Sequence, residues 1–212
     1  LTEKIPETVK SKGVFREYAE SIVIAILIAL FIRAFIVQAF KIPSGSMKPT
    51  LLIGDHLLVN KFIYGIKLPF IDHKFLAFKQ PERGDIIVFI FPRDKEKDFI
   101  KRVIGTPGDT VEIRRKKIYI NGKLWDDPYG VYKEPEVTSL VPRDNFGPVV
   151  VPKDHVFVMG DNRDRSYDSR FWGFVNKRFI EGKALIPYWS WDYLAPDIFH
   201  KVRWNRIGKV IH

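Results

Sequence analysis

Asp98-Phe99-Ile100-Lys101-Arg102-Val103-Ile104-Gly105-Thr106-Pro107-Gly108-Asp109 is the stretch on which the fold turns. A β-branched and aromatic run ends in a cluster of turn formers, which predicts a strand stopped by a turn rather than a helix. On a strand, Phe99, Lys101 and Val103 share one face, while Ile100, Arg102 and Ile104 share the other. One of the two cations must therefore stand near the core. An ordinary lysine has a pKa of about 10.4 and is charged at neutral pH, but desolvation can lower that value by several units. A lysine so placed becomes a usable base. The bland reading, in which Lys101 reaches from a sheet edge into water along its aliphatic stem, stands beside it.

The same texture continues on both sides. Short β-branched and aromatic runs bounded by Gly, Pro and Asp occur at 56–60, 86–91, 99–104, 117–120, 155–159 and 184–191, and predict an antiparallel, mostly β domain. Asn121-Gly122, between Ile118-Tyr119-Ile120 and Lys123-Leu124-Trp125, is the pair that a tight hairpin turn needs at its two positive-φ positions. Residues 131–152 are rich in Pro, Glu and Lys without a clear period, and read as a loop-rich insert. Helices do not alternate with the strands, and no Gly-rich phosphate loop is present, which argues against a doubly wound nucleotide-binding sheet. His56, His73, His155, His200 and His212 lack the close spacings of helical metal sites, so no metal is expected. The same scatter weakens a Ser-His-Asp triad without excluding residues that meet in space.

Composition bounds the rest. The 212 residues, 46% hydrophobic, can bury a real core. The 35 Lys+Arg against 25 Asp+Glu give +10, which favours an anionic partner without naming it. The absence of cysteine excludes disulfides, thiolate metal sites and a cysteine nucleophile.

At the N-terminus, Lys4, Lys10, Lys12 and Arg16 precede an apolar run at 22–32 that resumes after Arg33. A helix over 22–40 would be about 28 Å long, close to the hydrocarbon thickness of about 30 Å. Arg33 would cost roughly 3 kcal/mol at the bilayer centre, but it lies toward one end, where its stem reaches the headgroups. The run ends Val-Gln-Ala-Phe-Lys-Ile-Pro, without the Ala-x-Ala spacing of a cleaved signal. A retained anchor over 18–40 is expected, with 1–17 in the cytoplasm by the positive-inside rule and the remainder on the far side. Tyr188, Trp189, Trp191 and Tyr193 near the C-terminus suit either a core or a membrane interface.

Two further blocks carry hydroxyls and charges. Phe40-Lys41-Ile42-Pro43-Ser44-Gly45-Ser46-Met47-Lys48-Pro49-Thr50-Leu51 holds two serines between prolines and a glycine, a backbone that can present a hydroxyl or simply turn. Gly160-Asp161-Asn162-Arg163-Asp164-Arg165-Ser166-Tyr167-Asp168-Ser169-Arg170-Phe171-Trp172-Gly173 is either a solvated turn or a shell supporting a site. Asp168 and Arg170 would share a strand face there and pair.

An apolar N-terminal segment followed by Pro-Ser-Gly-Ser-Met-x-Pro-Thr, Ile-Lys-Arg-Val-Ile-Gly-x-Pro-Gly-Asp and Gly-Asp-Asn-Arg-Asp-x-Ser-x-Asp-Ser-Arg closely resembles the bacterial type I signal peptidases. The resemblance runs from about Glu17 to Arg206-Ile207-Gly208 and is weakest between Glu112 and Pro152. It implies a membrane-bound serine endopeptidase that removes signal peptides by a Ser-Lys dyad, with Ser46 as nucleophile and Lys101 as general base. It further implies Ser44 and the Ser46 N–H as oxyanion donors, Ser166 orienting the lysine, and Asp168 and Arg170 as structural support. Ile42, Met47, Leu51 and Ile100 are implied to shape shallow pockets for small side chains. No cofactor and no nucleic acid are implied. The implied partners are preprotein signal peptides, the phospholipid bilayer and the secretion translocase at a bacterial cytoplasmic membrane. The catalytic β domain is expected to comprise 41–111 and 153–212, with 112–152 as a small inserted lobe.

Two other readings stay open. A self-cleaving Ser-Lys repressor or an organelle-type inner-membrane peptidase shares the dyad logic, although a repressor should carry a helix-turn-helix where this chain has an apolar run. A tethered non-catalytic domain binding anionic lipid or protein through its positive charge is the alternative outside enzymology.

Overall fold

The computed structural model of the chain describes residues 14–32, 37–67, 74–75 and 77–211. The basic residues Lys4, Lys10 and Lys12, Arg33, and His73 and His212 lie outside them. The first element is helix α1 (Val14–Phe31). Its apolar side chains point in every direction, with Ile22, Ile24, Leu27 and Leu30 each more than half exposed. Among the described residues no helix is long and apolar enough to cross a membrane, and α1 itself opens with Arg16, Glu17 and Glu20.

The anchor expected over 18–40 is not one continuous helix. Strand β1 (Val37–Lys41) follows and pairs antiparallel with β2 (Asp55–Asn60) from Val37↔Asn60 to Lys41↔His56. Its backbone groups are satisfied across the sheet instead of along a helix. Phe40 packs against a buried cluster that includes Leu57 and Val59, which fixes this stretch to the β domain.

Two short strands, β3 (Ile66–Lys67) and β4 (Lys74–Phe75), pair with each other. The long core strands then begin with β5 (Ile86–Ile90) and β6 (Asp98–Gly105). After the Thr-Pro-Gly-Asp turn come β7 (Thr110–Arg114), β8 (Lys117–Ile120) and β9 (Lys123–Leu124). Asn121 and Gly122 join the last two at φ 52° and 77°, the left-handed pair of a two-residue hairpin. Beyond a long irregular stretch lie β10 (Phe146–Val150), β11 (His155–Met159), the single turn α2 (Ser169–Trp172), β12 (Val175–Asn176), β13 (Ile180–Ser190) and the turn α3 (Ile198–Lys201).

The chain is mostly β, in antiparallel sheets. A seven-stranded sheet runs β1-β2-β13-β5-β6-β11-β12, and a four-stranded sheet runs β10-β7-β8-β9. Ile104, Phe157 and Met159 of the larger sheet pack with Val111, Ile113, Ile118 and Ile120 of the smaller one, so the two sheets share a core. Strand β6 lies between β5 and β11 and is covered on both faces, through Val103 in one cluster and Ile100 in another. Both cations of its Lys101-Arg102 pair are consequently buried, at 4% and 0% exposure, not one alone.

Candidate active site

The serine-bearing loop hangs between β1 and β2 by an apolar underside. Ile42, Met47 and Leu51 are at most 2% exposed and pack on Leu57, Val59, Ile86 and Val88. Burying each such side chain is worth roughly 1.5–3 kcal/mol, enough to hold a loop that has no sheet partners of its own. Ile42 N–H donates to Asp55 C=O at 2.9 Å, and Leu51 N–H to Met47 C=O at 2.9 Å. With the underside fixed, Ser44 and Ser46 stay on the upper side with their hydroxyl oxygens 3.4 Å apart.

Lys101 reaches this loop from the centre of the sheet. Its Nζ lies 2.8 Å from Ser46 Oγ and 3.0 Å from Ile100 C=O, with the Phe99 ring centroid 5.2 Å away. Burial lowers its pKa to about 8, against the opposing pull of the Asp168 and Asp161 carboxylates. About one molecule in ten therefore carries a neutral amine at pH 7, against roughly one in a few thousand for an ordinary lysine. Once neutral, Nζ can accept the Ser46 hydroxyl proton along the contact it already makes.

The 160–170 segment forms the opposite bank. Asp161 accepts from Arg102 Nε and a terminal guanidinium nitrogen at 2.8 and 2.7 Å, and from the Thr50 hydroxyl at 2.6 Å. Asn162 N–H donates to Ser46 C=O at 3.0 Å, and its side-chain amide donates to Gly45 C=O at 3.1 Å. A Cβ at Gly160 would lie 2.4 Å from Ser46 C=O and 2.3 Å from Ser166 Oγ, so only glycine permits this approach.

Ser166 is buried beside the dyad, and its hydroxyl accepts from Gly160 N–H at 3.2 Å; among the described hydrogen bonds none joins it to Lys101. Asp168 and Arg170 pair through two contacts of 2.8 and 2.9 Å, but not on a strand. Asp168 is the N-cap of α2 and accepts from Arg170 N–H, which the cap preference of aspartate explains.

These elements enclose an open cavity of about 540 Å³ whose lining includes Ser44, Ser46, Lys101 and Asn162. Phe99, Ile100 and Tyr167 form its apolar wall. Of the side chains implied to shape substrate pockets, Ile100 lines the cavity, whereas Ile42, Met47 and Leu51 lie in the core beneath it.

A family profile described as "Signal peptidase, peptidase S26" matches residues 15–189. The chain belongs to the signal peptidase family, peptidase S26. A signal peptidase I of Pseudomonas aeruginosa is 38% identical over 97% of this chain and 82% of its own length. One from Bacillus licheniformis is 37% identical, covering 91% and 97% respectively. A solved signal peptidase I structure from Enterococcus faecalis is 39% identical over 50% of this chain and 97% of that one, with a TM-score of 0.41. The chain is thus a serine peptidase, a hydrolase of peptide bonds.

The residues that brace the site are joined by contacts distant in the chain. Asp161 and Asn162 take their partners, Arg102 and Gly45, from far away in sequence. The same holds for Asp55, fully buried, which accepts from Arg206 and from the Ser190 hydroxyl and ties the C-terminal segment under the serine loop. Only Asp55, between Leu51-Leu52-Ile53 and Leu57-Leu58-Val59, shows a local sign of its role, a charge amid apolar neighbours.

Proposed function

We propose that the chain removes N-terminal signal peptides from exported preproteins, cutting after small residues of the Ala-x-Ala type, with Ser46 as nucleophile and Lys101 as general base. The observation that carries this reading is the 2.8 Å contact between a buried, pKa-lowered Lys101 amine and the Ser46 hydroxyl at the floor of an open cavity. As Ser46 Oγ bonds to the scissile carbonyl carbon, its proton passes to neutral Nζ. The resulting ammonium gives that proton to the leaving amine as the C–N bond breaks, leaving an ester on Ser46. Water then attacks the ester, with Lys101 again taking a proton and returning it to Ser46. The Ser44 hydroxyl, beside Ser46, and the Ser46 N–H stabilise the developing oxyanion. Ser166, held at Gly160 N–H close to the Ser46 carbonyl, belongs to the same bank, and the Asp168–Arg170 pair stiffens the segment that carries it.

The apolar, all-round exposed surface of α1 supports a bilayer anchor, since a helix hydrophobic on every side is stable only when covered. The basic residues preceding it favour a cytoplasmic N-terminus and a catalytic domain on the outer face of a bacterial cytoplasmic membrane. A single-pass tether would hold the protease where signal peptides emerge from the translocase and raise the local concentration of substrate.

The experiment is incubation of purified protein in detergent with a preprotein carrying one Ala-x-Ala site, followed by N-terminal sequencing of the product. The reading predicts a single new N-terminus directly after that site and none with Ser46→Ala. Cleavage elsewhere, or undiminished cleavage by Ser46→Ala, would overturn it.

A further inference from the structure

We infer that Lys133 and Arg165 form a subsite for a carboxylate side chain in the first residues of the mature protein, just after the cut bond; this rests on the reading of the chain as a signal peptidase acting through Ser46. The lining of the cavity carries Lys48, Lys101, Lys133 and Arg165 against a single carboxylate, Asp98. Lys101 is committed to Ser46. The Leu194 N–H, then Arg203 and least of all Lys48 hold the Asp192 carboxyl below its ordinary range, so Lys48 has an acidic neighbour of its own. Asp98, exposed at the start of β6, is one negative charge against four positive ones.

That leaves Lys133 and Arg165. Lys133 has no carboxylate partner among the described residues, and Arg165 makes only a loose 3.8 Å contact with Glu134. Glu134 is itself bound by Arg143. The two cations nonetheless stand on a built support. Val131 N–H donates to Asp161 C=O at 2.7 Å, and Arg163 N–H to Val131 C=O at 3.0 Å, laying the 131–134 segment alongside the bank that holds the serine loop. Buried Asp164 then accepts from Lys133 N–H at 2.6 Å and Glu134 N–H at 2.8 Å, and pairs with Lys116 at 2.9 Å. The backbone of Lys133 is thereby pinned at the cavity edge, with its ammonium left to solvent and substrate.

Substrate chemistry sets the side of the cut. A signal peptide has its positive charges at the far N-terminal end, then an apolar segment, then small residues up to the cleavage point. Nothing acidic stands next to the bond on the signal side. A cationic edge in the cavity can therefore discriminate only among residues of the mature chain. Contact with a carboxylate remote from the reacting bond is equally present in ground state and transition state, so it acts on KM more than on kcat.

The test uses the full chain in detergent with three preproteins that differ only at the second and third residues after the cut: Glu-Glu, Gln-Gln and Lys-Lys. Wild type should cut the Glu form with kcat/KM about five- to tenfold above the Lys form, the scale of two exposed charge contacts. The difference should lie mainly in KM and shrink toward unity near 0.5 M salt. Lys133→Ala with Arg165→Ala should bring the ratio toward one, and Lys133→Glu with Arg165→Glu should invert it. Equal kcat/KM for the three substrates in wild type, or a ratio unchanged in both variant pairs, would overturn the subsite. Failure of wild type to cut any of them would overturn the assignment of function instead, and the subsite with it.

Discussion

Arg102 and Asp161 close a two-point ion pair in which neither side chain is exposed, and the same carboxylate accepts the Thr50 hydroxyl. One buried acid thus joins the central strand, the serine loop and the Asn162 bank. The pair is further enclosed by the Tyr129 ring, 3.6 Å from the guanidinium carbon, and by Gly84 C=O, which accepts from Arg102 at 2.7 Å.

Asp161→Ala should therefore destabilise the protein by about 3–5 kcal/mol, because it strands a buried guanidinium. Urea denaturation measures this. Replacing both partners, Arg102→Met with Asp161→Leu, should recover much of the stability but not the activity, since the Thr50 contact stays lost. Equal activity in the double variant and wild type would show that the pair does not register the serine loop.

Lys101 makes the fold work against itself in a definite pH window. Its folded pKa of about 8 lies below the ordinary lysine value of 10.5, so between those values the unfolded chain binds more protons and stability rises with pH. Below about pH 8 the cost of burying the charge is constant and largest. Lys101→Met should thus stabilise the protein by up to about 3 kcal/mol at pH 7, a gain that fades as pH rises through 8 toward 10.5. Paired urea titrations at pH 7 and 10 check the sign, and a gain that grows with pH would contradict it.

Ser44→Ala should lower kcat by about 10²–10³ with little change in KM, as expected for a donor that acts mainly on the developing oxyanion. Steady-state kinetics on a prepeptide separate the two constants. An unchanged kcat would remove Ser44 from the oxyanion site.

At Gly160, an added methyl meets backbone, the Ser46 carbonyl, as well as Ser166 Oγ. Gly160→Ala should cost about 1–3 kcal/mol of stability and reduce kcat more than tenfold by displacing Ser46 from Lys101. Thermal denaturation alongside kinetics would detect both effects, and a variant with normal kcat would show that the loop can shift freely.

Local patterns were legible in the sequence where chemistry and neighbours coincide. The alternation around Lys101, the turn after Gly105 and the Asn121-Gly122 hairpin depend on residues adjacent in the chain. The misread stretch was 37–40: a short apolar run suits helix or strand equally, and only pairing with β2 decides it. Burial of both Lys101 and Arg102 was hidden for a related reason. It depends on β5 and β11 flanking the strand and on an aspartate 59 residues away. Asp168 and Arg170 were legible as a pair but not as a helix cap, because one turn of helix leaves no period to read. Lys133 sits in a loop-rich stretch where lysine is unremarkable, and only its pinning by Asp164 distinguishes it.

The most direct test of the central claim is the pH dependence of kcat/KM for prepeptide cleavage, measured on wild type and on variants with each of His56, His73, His155, His200 and His212 replaced by glutamine. If Lys101 is the base, the rate rises with pH through an apparent pKa near its lowered value of about 8 in wild type and in every histidine variant, while Lys101→Ala is inactive throughout. A rising limb near pH 6.5 that vanishes together with activity in one histidine variant would contradict the account and assign the base to that histidine.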